Sequence, residues 1–373
     1  NTLENLGAEL KEYGKRVLLT YGGGSIKKIG LYDKVITELN KAGLEVFELA
    51  GVEPNPRHTT VNKGAEICKK ENIDVLLAVG GGSTIDCTKA IAAAAFYDGD
   101  GWDLVLGKAT VTKALPIVTV LTLSATGSEM DPGAVISNIE TNDKYAIIHP
   151  LLQPKVSFLD PTNTYSVSAF QTACGGADIL SHIFDIRYFT NAPKMDMIDK
   201  VMEAVIKTVV KYTPVAVEER NNYEARANLM WASSWALNGF LSTGAMQAAS
   251  CHMMEHELSA FYDITHGLGL AILTPRWMEY ILDETNAKDF KKFGVNVFGV
   301  EANLSEMEGA KQAIVALSDF LFNKLGLQST LTELGIDDKN FKVMAEKACA
   351  GTVLHGFKVL KPADVEKIYK MCL

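Results

Sequence analysis

The segment Asp74-Val75-Leu76-Leu77-Ala78-Val79-Gly80-Gly81-Gly82-Ser83 joins a nearly continuous apolar run to three consecutive glycines. A short apolar run of this kind is typical of a strand buried on both faces, as in a parallel sheet. The stretch that follows, 84–96, predicts a helix. Glycines at the junction permit a sharp turn, and the N-terminus of the helix offers free N–H groups to a phosphate. The loop continues as GGGSxxDxxK, ending at Asp86 and Lys89, rather than as the GxGxxG of the usual Rossmann fingerprint.

Two further loops of small residues follow predicted strands. Gly22-Gly23-Gly24-Ser25 comes after Arg16–Tyr21, and Ser124-Ala125-Thr126-Gly127-Ser128 comes after the apolar run Ile117–Leu123. A single glycine-rich loop could serve only to pack a strand against a helix. Because the carboxyl ends of parallel strands line one crevice, three such loops favour a dinucleotide-binding site.

The first of these loops bears on the choice of cofactor. NAD-selective sites often place an acid near the adenosine ribose, where it would repel a 2′-phosphate. The stretch 21–28 contains no acid, and its Ser25, Lys27 and Lys28 could hold a phosphate. We therefore predict NADP(H) in preference to NAD(H), with a solvated helix face as the alternative role of the two lysines.

The composition and hydrophobic pattern of the sequence change after Pro161. Strand-like runs become rare, and amphipathic stretches rich in alanine, methionine, leucine and lysine dominate. We predict an all-α second domain, with the two domains spanning 1–163 and 164–373. The predicted helical stretches are 167–190, 194–213, 222–237, 245–260, 306–325 and 339–353.

Composition and charge exclude several classes of protein. The chain of 373 residues is 47% hydrophobic and 22% charged, which is ordinary for a globular protein and excludes disorder. Its net charge of −9 and the absence of any block of five basic residues argue against nucleic-acid binding. No apolar run reaches the roughly 18 residues needed to span a bilayer, so we expect no membrane partner.

The cysteines and the first residues of the chain bear on the cellular compartment of the protein. Six cysteines are scattered without a CxxC pair, which predicts reduced thiols and a cytoplasmic location. The start of the sequence, Asn1–Asn5, lacks the basic and apolar regions of a secretory signal. The sequence begins without methionine, so we expect a leading segment before Asn1.

One aspartate and several histidines form a pattern in the second half. Asp178 and His182 stand at i and i+4, as do His252 and His256, and His266 follows them. Residues at i and i+4 share one helix face, so each pair could act together. Imidazoles and a carboxylate suit Zn²⁺ or Fe²⁺, although each residue alone could be a satisfied polar group in a helix. The set predicts a metal site.

A competing motif overlaps this set. His252-Met253-Met254-Glu255-His256 fits HxxEH, in which both histidines bind zinc and the glutamate is the general base of a hydrolase. That hypothesis does not explain three glycine loops on a predicted parallel sheet. A metal-free nucleotide-binding protein is a further alternative, which a metal analysis would distinguish.

Together, these motifs resemble the iron-containing (group III) alcohol dehydrogenases, in particular their butanol dehydrogenase branch. The resemblance covers nearly the whole chain. It implies a Rossmann-like α/β dinucleotide-binding domain followed by an all-α domain, as in the dehydroquinate synthase-like enzymes, with a cleft between them. The motifs that carry it are Tyr21–Ser25, Glu53-Pro54-Asn55-Pro56, Gly80–Ser83 with Asp86 and Lys89, Thr126-Gly127-Ser128-Glu129, Thr141-Asn142-Asp143-Lys144, Asp160-Pro161, Asp178 to His182, and His252 to Gly267.

The resemblance also implies the residues of the site. The metal ligands of the family fall on Asp178, His182, His252 and His266. A further histidine of the family, near the nicotinamide, falls on His256, which becomes the candidate catalytic residue in a proton relay. The implied cofactor-binding residues are Gly22, Gly23, Gly24, Ser25, Asn55, Gly80, Gly81, Gly82, Ser83, Asp86, Thr122, Ser124 and Lys144.

The implied activity is hydride transfer between NAD(P)H and short-chain aldehydes or alcohols such as butanal and butanol, assisted by one divalent metal. The ligand set accepts Fe²⁺, Zn²⁺, Co²⁺ or Ni²⁺, and the name of the family favours iron. Glycine in the first loop is associated with NADPH in this branch, although some relatives with glycine there use NADH. The resemblance implies a homodimer. A glycerol dehydrogenase-like polyol oxidoreductase is the alternative within the superfamily, and the set of one aspartate and three histidines argues against it.

Overall fold

The computed structural model describes residues 2–244 and 248–373 of the chain. The chain divides into two compact units, Asn1–Val167 and Ser168–Leu373. Within the predicted helical stretch 245–260, residues 245–247 lie outside the described residues.

The first unit is built on a parallel sheet. Its strands are β1 (Arg16–Tyr21), β2 (Glu45–Ala50), β3 (Val75–Gly80), β4 (Ile117–Leu121), β5 (Gly133–Asn138), β6 (Asp143–Ile148) and β7 (Val156–Phe158). Five of them pair in parallel in the order β2-β1-β3-β4-β7, and β5 and β6 form a separate antiparallel hairpin. The predicted apolar strand is β3, which lies at the centre of the sheet and is buried along its whole length.

Helices connect the first four parallel strands of this unit, and the connection from β4 to β7 carries the hairpin instead. They are α1 (Leu6–Lys11), α2 (Ser25–Lys28), α3 (Leu31–Lys41), α4 (His58–Lys70), α5 (Gly82–Ala94) and α6 (Gly101–Val105). The predicted strand–turn–helix unit is β3, the glycine loop and α5. The α/β fold predicted for the first domain is confirmed.

The β5–β6 hairpin is an element that the sequence analysis does not predict. Its buried positions Ala134, Ile136 and Ile147 alternate along the strands, but buried Ser137 and Asn138 interrupt the apolar pattern. The turn between the strands contains Asn142 with a φ of 49°, a conformation that asparagine adopts more readily than most residues. The hairpin has a consequence for the site, because β6 carries Lys144.

The second unit consists of helices and connecting loops in the part of the chain that the structure describes. Its helices are α7 (Ala169–Ile183), α8 (Asp196–Glu218), α9 (Tyr223–Leu237), α10 (Ser250–Tyr262), α11 (His266–Ile281), α12 (Ala287–Phe293), α13 (Glu306–Ser318), α14 (Phe341–Ala348) and α15 (Pro362–Met371). The predicted all-α character is confirmed. Among the described helices, none has the length and apolar content needed to cross a membrane.

Several helices of this unit differ from the predictions, and α11, α12 and α15 lie outside the predicted helical stretches. The predicted helix 167–190 is α7, which ends at Ile183 and continues as a π-helical turn over Phe184–Tyr188. Such turns often accompany functional sites. No amphipathic stretch was predicted for α11, because the helix is buried on most sides and contains Pro275. A helix that is apolar nearly all round has no periodic polar face to reveal it.

Candidate metal centre and cofactor loops

The helix α7 presents two of the predicted ligands on one face. Asp178 and His182 are one turn apart, and both side chains are buried. The Asp178 Oδ1 atom lies 3.6 Å from His182 Nε2. Ser168 begins the helix by accepting a hydrogen bond from the Gln171 N–H, so the local sequence sets where the helix starts and hence where the pair points.

Two more helices bring the remaining ligands to the same carboxylate. His252, on α10, has its Nε2 atom 4.0 Å from Asp178 Oδ1, and His266, at the start of α11, has its Nε2 atom 3.6 Å from it. The ligand atoms of Asp178, His252 and His266 all lie within 4.8 Å of one another. The ring of His182 stacks on that of His252 with 4.7 Å between centroids. Three imidazole Nε2 atoms therefore surround one carboxylate oxygen.

The hydrogen bonding of this cluster fits a divalent cation. Asp178 Oδ1 and His252 Nε2 are buried and have no hydrogen-bond partner among the residues that the structure describes. A buried polar atom without a partner costs about 1–3 kcal/mol, so atoms of this kind normally meet a ligand or an ion. One carboxylate oxygen and three imidazole nitrogens are donors that Zn²⁺ and Fe²⁺ accept.

Burial and charge act differently on two of the histidines. Burial lowers the pKa of His182 to about 3, and the neighbouring imidazoles act in the same direction against the charge of Asp178. Burial alone would also lower the pKa of His252, but the hydrogen bond and charge of Asp185 outweigh it and raise that pKa. Only a neutral imidazole has a lone pair for a metal, so His182 is held in its ligating form.

Glycines allow the helices of this cluster to approach closely. A Cβ atom added to Gly267, next to His266, would lie 2.2 Å from the carbonyl oxygen of Cys174 on α7. A Cβ atom added to Gly176 on α7 would lie 2.6 Å from a side-chain atom of Thr213 on α8. The short distance between α7 and α11, on which the meeting of Asp178 and His266 depends, therefore requires glycine at 267.

In the first unit, the three glycine-rich loops lie side by side because β3 pairs with β1 on one side and β4 on the other. A Cβ atom added to Gly82 would lie 2.3 Å from Thr126 Oγ1, which places the loop after β3 against the loop after β4. The Thr122 N–H donates to the Gly80 carbonyl oxygen at 3.0 Å, and Ser124 follows it in a half-buried position. A Cβ atom added to Gly23 would meet no heavy atom within 4 Å, so this backbone is open to a ligand.

Three other predicted cofactor residues lie together in the first unit. Lys144 Nζ donates to Asn55 Oδ1 at 3.2 Å, and both side chains are buried. Ser83 Oγ, in the loop after β3, donates to the Pro54 carbonyl oxygen. The stretch around Asn55 thus connects the β6 strand to the glycine loop.

Both units match models of known protein families. Residues 1–161 match the family described as iron-containing alcohol dehydrogenase, and residues 172–373 match the C-terminal family of Fe-containing alcohol dehydrogenases. The chain belongs to the iron-containing alcohol dehydrogenase family.

Individual relatives agree with this assignment. NADH-dependent butanol dehydrogenase A of Clostridium acetobutylicum is 50% identical over 370 residues, which is 99% of this chain and 95% of the relative. The NADPH-dependent aldehyde reductase YqhD of Escherichia coli is 38% identical over 335 residues, 89% of this chain and 85% of the relative. The crystal structure of NADH-dependent butanol dehydrogenase A from Thermotoga maritima superposes with a TM-score of 0.94 at 40% identity, covering 100% of this chain and 95% of that one.

Membership of the family establishes the reaction class. This iron-containing alcohol dehydrogenase is an oxidoreductase with alcohol dehydrogenase or aldehyde reductase activity, and its family implies a divalent metal and a nicotinamide cofactor. The zinc hydrolase and polyol alternatives are not favoured. The predicted preference for NADP(H) finds no support, because relatives at 50% identity are named NADH-dependent.

The geometry around Glu255 also disfavours a hydrolase. Its carboxylate is buried. One oxygen contacts His266 Nδ1 and the other accepts a hydrogen bond from Ser259 Oγ at 2.5 Å, so both oxygens already have partners within the protein. His256 lies with its ring centroid 5.9 Å from that of His266, and, like His182, it is outside the group of ligand atoms formed by Asp178, His252 and His266. A role for His256 in catalysis remains a prediction.

Asp86 sits in a buried polar network of this alcohol dehydrogenase. Its Oδ1 accepts from Ser128 Oγ at 2.5 Å, and its Oδ2 accepts from the Val135 N–H at 2.9 Å. Lys89 is fully buried beside it and donates to Asp131 Oδ1 at 3.1 Å. Burial raises the pKa of Asp86 to about 6, against the charge of Lys89. On this geometry Asp86 holds the loop after β4 and the hairpin, and its role at the cofactor remains a prediction.

Replacing Asp86 by asparagine should flatten the pH dependence of stability. Because the pKa of Asp86 is raised in the folded state, the folded protein binds the proton more tightly than the unfolded chain, so stability falls as pH rises from about 4 to 6. Above pH 6 the ionised side chain costs about 3 kcal/mol, a cost that asparagine avoids. We expect the melting temperature of Asp86→Asn to exceed that of the wild type more at pH 7.5 than at pH 5. Asp98→Asn, at an exposed carboxylate, is the control, and a pH-independent difference would contradict the assignment.

Proposed function

We propose that this enzyme interconverts short-chain aldehydes and primary alcohols of the butanal and butanol type, using a nicotinamide cofactor and one divalent metal, with Fe²⁺ favoured. The observation that carries the proposal is the convergence of the Nε2 atoms of His182, His252 and His266 within 4.0 Å of Asp178 Oδ1. The 50% identity to enzymes named as butanol dehydrogenases supports the substrate class.

Each residue of the cluster has a proposed role. Asp178, His182, His252 and His266 would hold the metal, which when bound polarises a carbonyl oxygen as a Lewis acid. Asp178 contributes the negative charge that attracts the cation, and the imidazoles contribute neutral donors. His256, beside His266, is proposed to pass a proton between the alcohol oxygen and solvent.

Residues 1–163 are proposed to bind the dinucleotide, and residues 164–373 to bind the metal and carry out catalysis. Gly22–Ser25 and Gly80–Ser83 would receive the phosphates through backbone N–H groups, as glycine-rich loops between strands and helices do. Lys144 would add a positive charge, with Asn55 holding its ammonium group in place. Thr122 and Ser124 would line the same crevice at the end of β4, and Asp86 would support it from within the network described above.

We propose NAD(H) as the better cofactor. Two observations support this choice over NADP(H): the names of the relatives at 50% identity, and Glu48, an acid on β2. Its carboxylate accepts from the hydroxyls of Tyr21 and Tyr32 at 2.7 Å each, beside the first glycine loop. An acid on the second strand is where Rossmann-type sites bind the ribose of NAD. The loop itself has no acidic residue that would repel a 2′-phosphate, so we expect the enzyme to use NADPH as well.

Placing an acid in the first loop tests this arrangement. A Gly23→Asp side chain has room, because a Cβ atom there meets nothing within 4 Å. We expect kcat/KM with NADPH to fall at least about tenfold more than kcat/KM with NADH, since the carboxylate would repel the 2′-phosphate. Gly23→Asn is the uncharged control of the same size and shape. Equal losses with both cofactors would show that the loop does not lie at the ribose.

The activity itself is tested by butanal-dependent oxidation of NADH and of NADPH, side by side, on protein loaded anaerobically with Fe²⁺ or Zn²⁺. Turnover that disappears with a chelator and returns with metal is expected, together with a weaker reaction on glycerol. Metal-loaded protein that oxidises neither cofactor with butanal would refute the proposed substrate class.

The remaining proposals concern the state of the protein in the cell. We propose a cytoplasmic homodimer that acts on small molecules and binds neither nucleic acid nor membrane. The six cysteines are buried and unbridged, which supports a reducing compartment. Burial raises the pKa of Cys68 and of Cys174 to about 12, so neither is a reactive thiolate. Light scattering coupled to size exclusion, with a mass of one or two chains of 40.5 kDa, tests the dimer.

A further inference from the structure

Two carboxylates lie behind the imidazoles of the metal centre and belong to none of the predicted ligands. Asp185 stands in the π-helical turn that follows α7, and Glu255 stands on α10. Both side chains are fully buried, at 0% exposure. Buried carboxylates are stable only when they are paired or hydrogen-bonded, so the partners of each indicate what it does.

Asp185 holds the ring and the backbone of the same histidine. Its Oδ2 atom accepts from the His252 backbone N–H at 2.8 Å and lies 3.1 Å from His252 Nδ1, and its Oδ1 accepts from Ser250 Oγ at 3.1 Å. These contacts satisfy the first turn of α10, where free N–H groups favour a negative charge. The residue comes seven positions after Asp178, two helical turns along α7 and its π-helical extension, so it faces the same cluster.

Glu255 holds the second histidine in the same manner. Its Oε2 contacts His266 Nδ1, and its Oε1 accepts from Ser259 Oγ at 2.5 Å. The helix that bears His266 makes room for this carboxylate, because a Cβ atom added to Gly269 would lie 2.9 Å from Glu255 Oε1. The two contacts fix the carboxylate from both sides.

We propose that Asp185 and Glu255 are positioning residues of the metal centre, which hold His252 and His266 as Nδ1–H tautomers with Nε2 directed at the ion. A neutral imidazole carries one N–H, and a carboxylate beside Nδ1 draws that hydrogen to it. The Nε2 atoms are then left as lone-pair donors on the side of Asp178. This proposal rests on the proposed function, since it requires the cluster to bind a metal.

His182 is held by ring stacking rather than by a carboxylate. His182 Nδ1 is buried and has no hydrogen-bond partner in the described part of the chain. Its ring instead stacks on that of His252, with the two planes 17° apart. Asp185, by fixing His252, therefore fixes the surface on which His182 rests. We expect the loss of Asp185 to disturb two ligands and the loss of Glu255 to disturb one.

The experiment measures Co²⁺ binding to the full chain by competition with a chelator, and records the visible d–d absorption of the Co²⁺-loaded protein. Asp185→Asn and Glu255→Gln keep the shape of each side chain and remove its charge. Glu203→Gln is the matched control, because Glu203 is buried in the same unit and accepts from Tyr188 Oη at 2.9 Å, away from the histidines.

We expect Co²⁺ dissociation constants to rise about 10–100-fold in both variants, with the larger rise in Asp185→Asn, and the d–d bands to shift. Glu203→Gln should keep the wild-type constant and spectrum. Folding is checked by circular dichroism. If Asp185→Asn does not fold, the proposal is tested by Glu255→Gln, which lies on a different helix. Wild-type affinity and an unchanged spectrum in folded variants would overturn this proposal. A wild-type protein that binds no Co²⁺, Fe²⁺ or Zn²⁺ would instead overturn the proposed function.

Discussion

Replacing Asp178 by alanine is expected to abolish metal binding and to lower kcat/KM for butanal by at least about 10³-fold, because a Lewis-acid metal supplies several kcal/mol of transition-state stabilisation. The Asp178 Oδ1 atom lies within 4.0 Å of the Nε2 atoms of His182, His252 and His266. Without its charge, three imidazoles remain around a buried site. Metal content by elemental analysis and turnover under anaerobic loading are the measurements.

The stability of the metal-free variant separates this effect from misfolding. Asp178 Oδ1 is buried without a hydrogen-bond partner in the described part of the chain, so its removal should leave the metal-free protein at least as stable as the metal-free wild type. Ser181→Ala, at another buried residue of α7, is the control that should keep both metal and turnover. An Asp178→Ala protein with full metal content and full activity would contradict the assignment of the ligand set.

Replacing Gly267 by alanine is expected to weaken both the fold and the metal centre without changing any ligand. The added Cβ atom would lie 2.2 Å from the carbonyl oxygen and 2.7 Å from the carbonyl carbon of Cys174. Both are backbone atoms, so relief requires α11 to move away from α7, and overpacking of this kind costs about 1–3 kcal/mol. We expect a lower melting temperature and a metal dissociation constant raised about 100-fold, since His266 moves with its helix.

Whether Gly267→Ala raises or lowers the stability of the protein shows whether the added methyl group clashes with α7. In a helix, alanine is favoured over glycine by about 1 kcal/mol, so a Gly267→Ala protein without a clash would be more stable than the wild type. Gly356→Ala, in a loop of the same unit, is the control for adding a methyl group without a clash, because its added Cβ atom would have no neighbour closer than 3.7 Å. Raised stability together with unchanged metal affinity in Gly267→Ala would show that the two helices are not held at this distance in solution.

Patterns within short stretches of sequence predicted the framework of the protein well. The buried strand β3, the glycine loops and the helical second half follow from hydrophobic periodicity and from the turn chemistry of glycine, which are local properties. The pairing of Asp178 with His182 is also local, because one helical turn joins them. The β5–β6 hairpin was missed because its buried polar residues break the alternation, and α11 was missed because it has no polar face. The short helices α12 and α15 also lie outside the predicted helical stretches.

Local sequence patterns establish which chemical groups this protein has available: which strands can form a parallel sheet, where backbone N–H groups are free for phosphate, and which side chains can bind a metal. Which of these groups meet depends on the packing of the folded chain. The convergence of α7, α10 and α11 on one carboxylate oxygen depends on the close approach at Gly267, and the carboxylates of Asp185 and Glu255 reach His252 and His266 only after these helices have packed. Residues far apart in the chain come together through packing of whole helices, and no pattern within one helix records the distance between two.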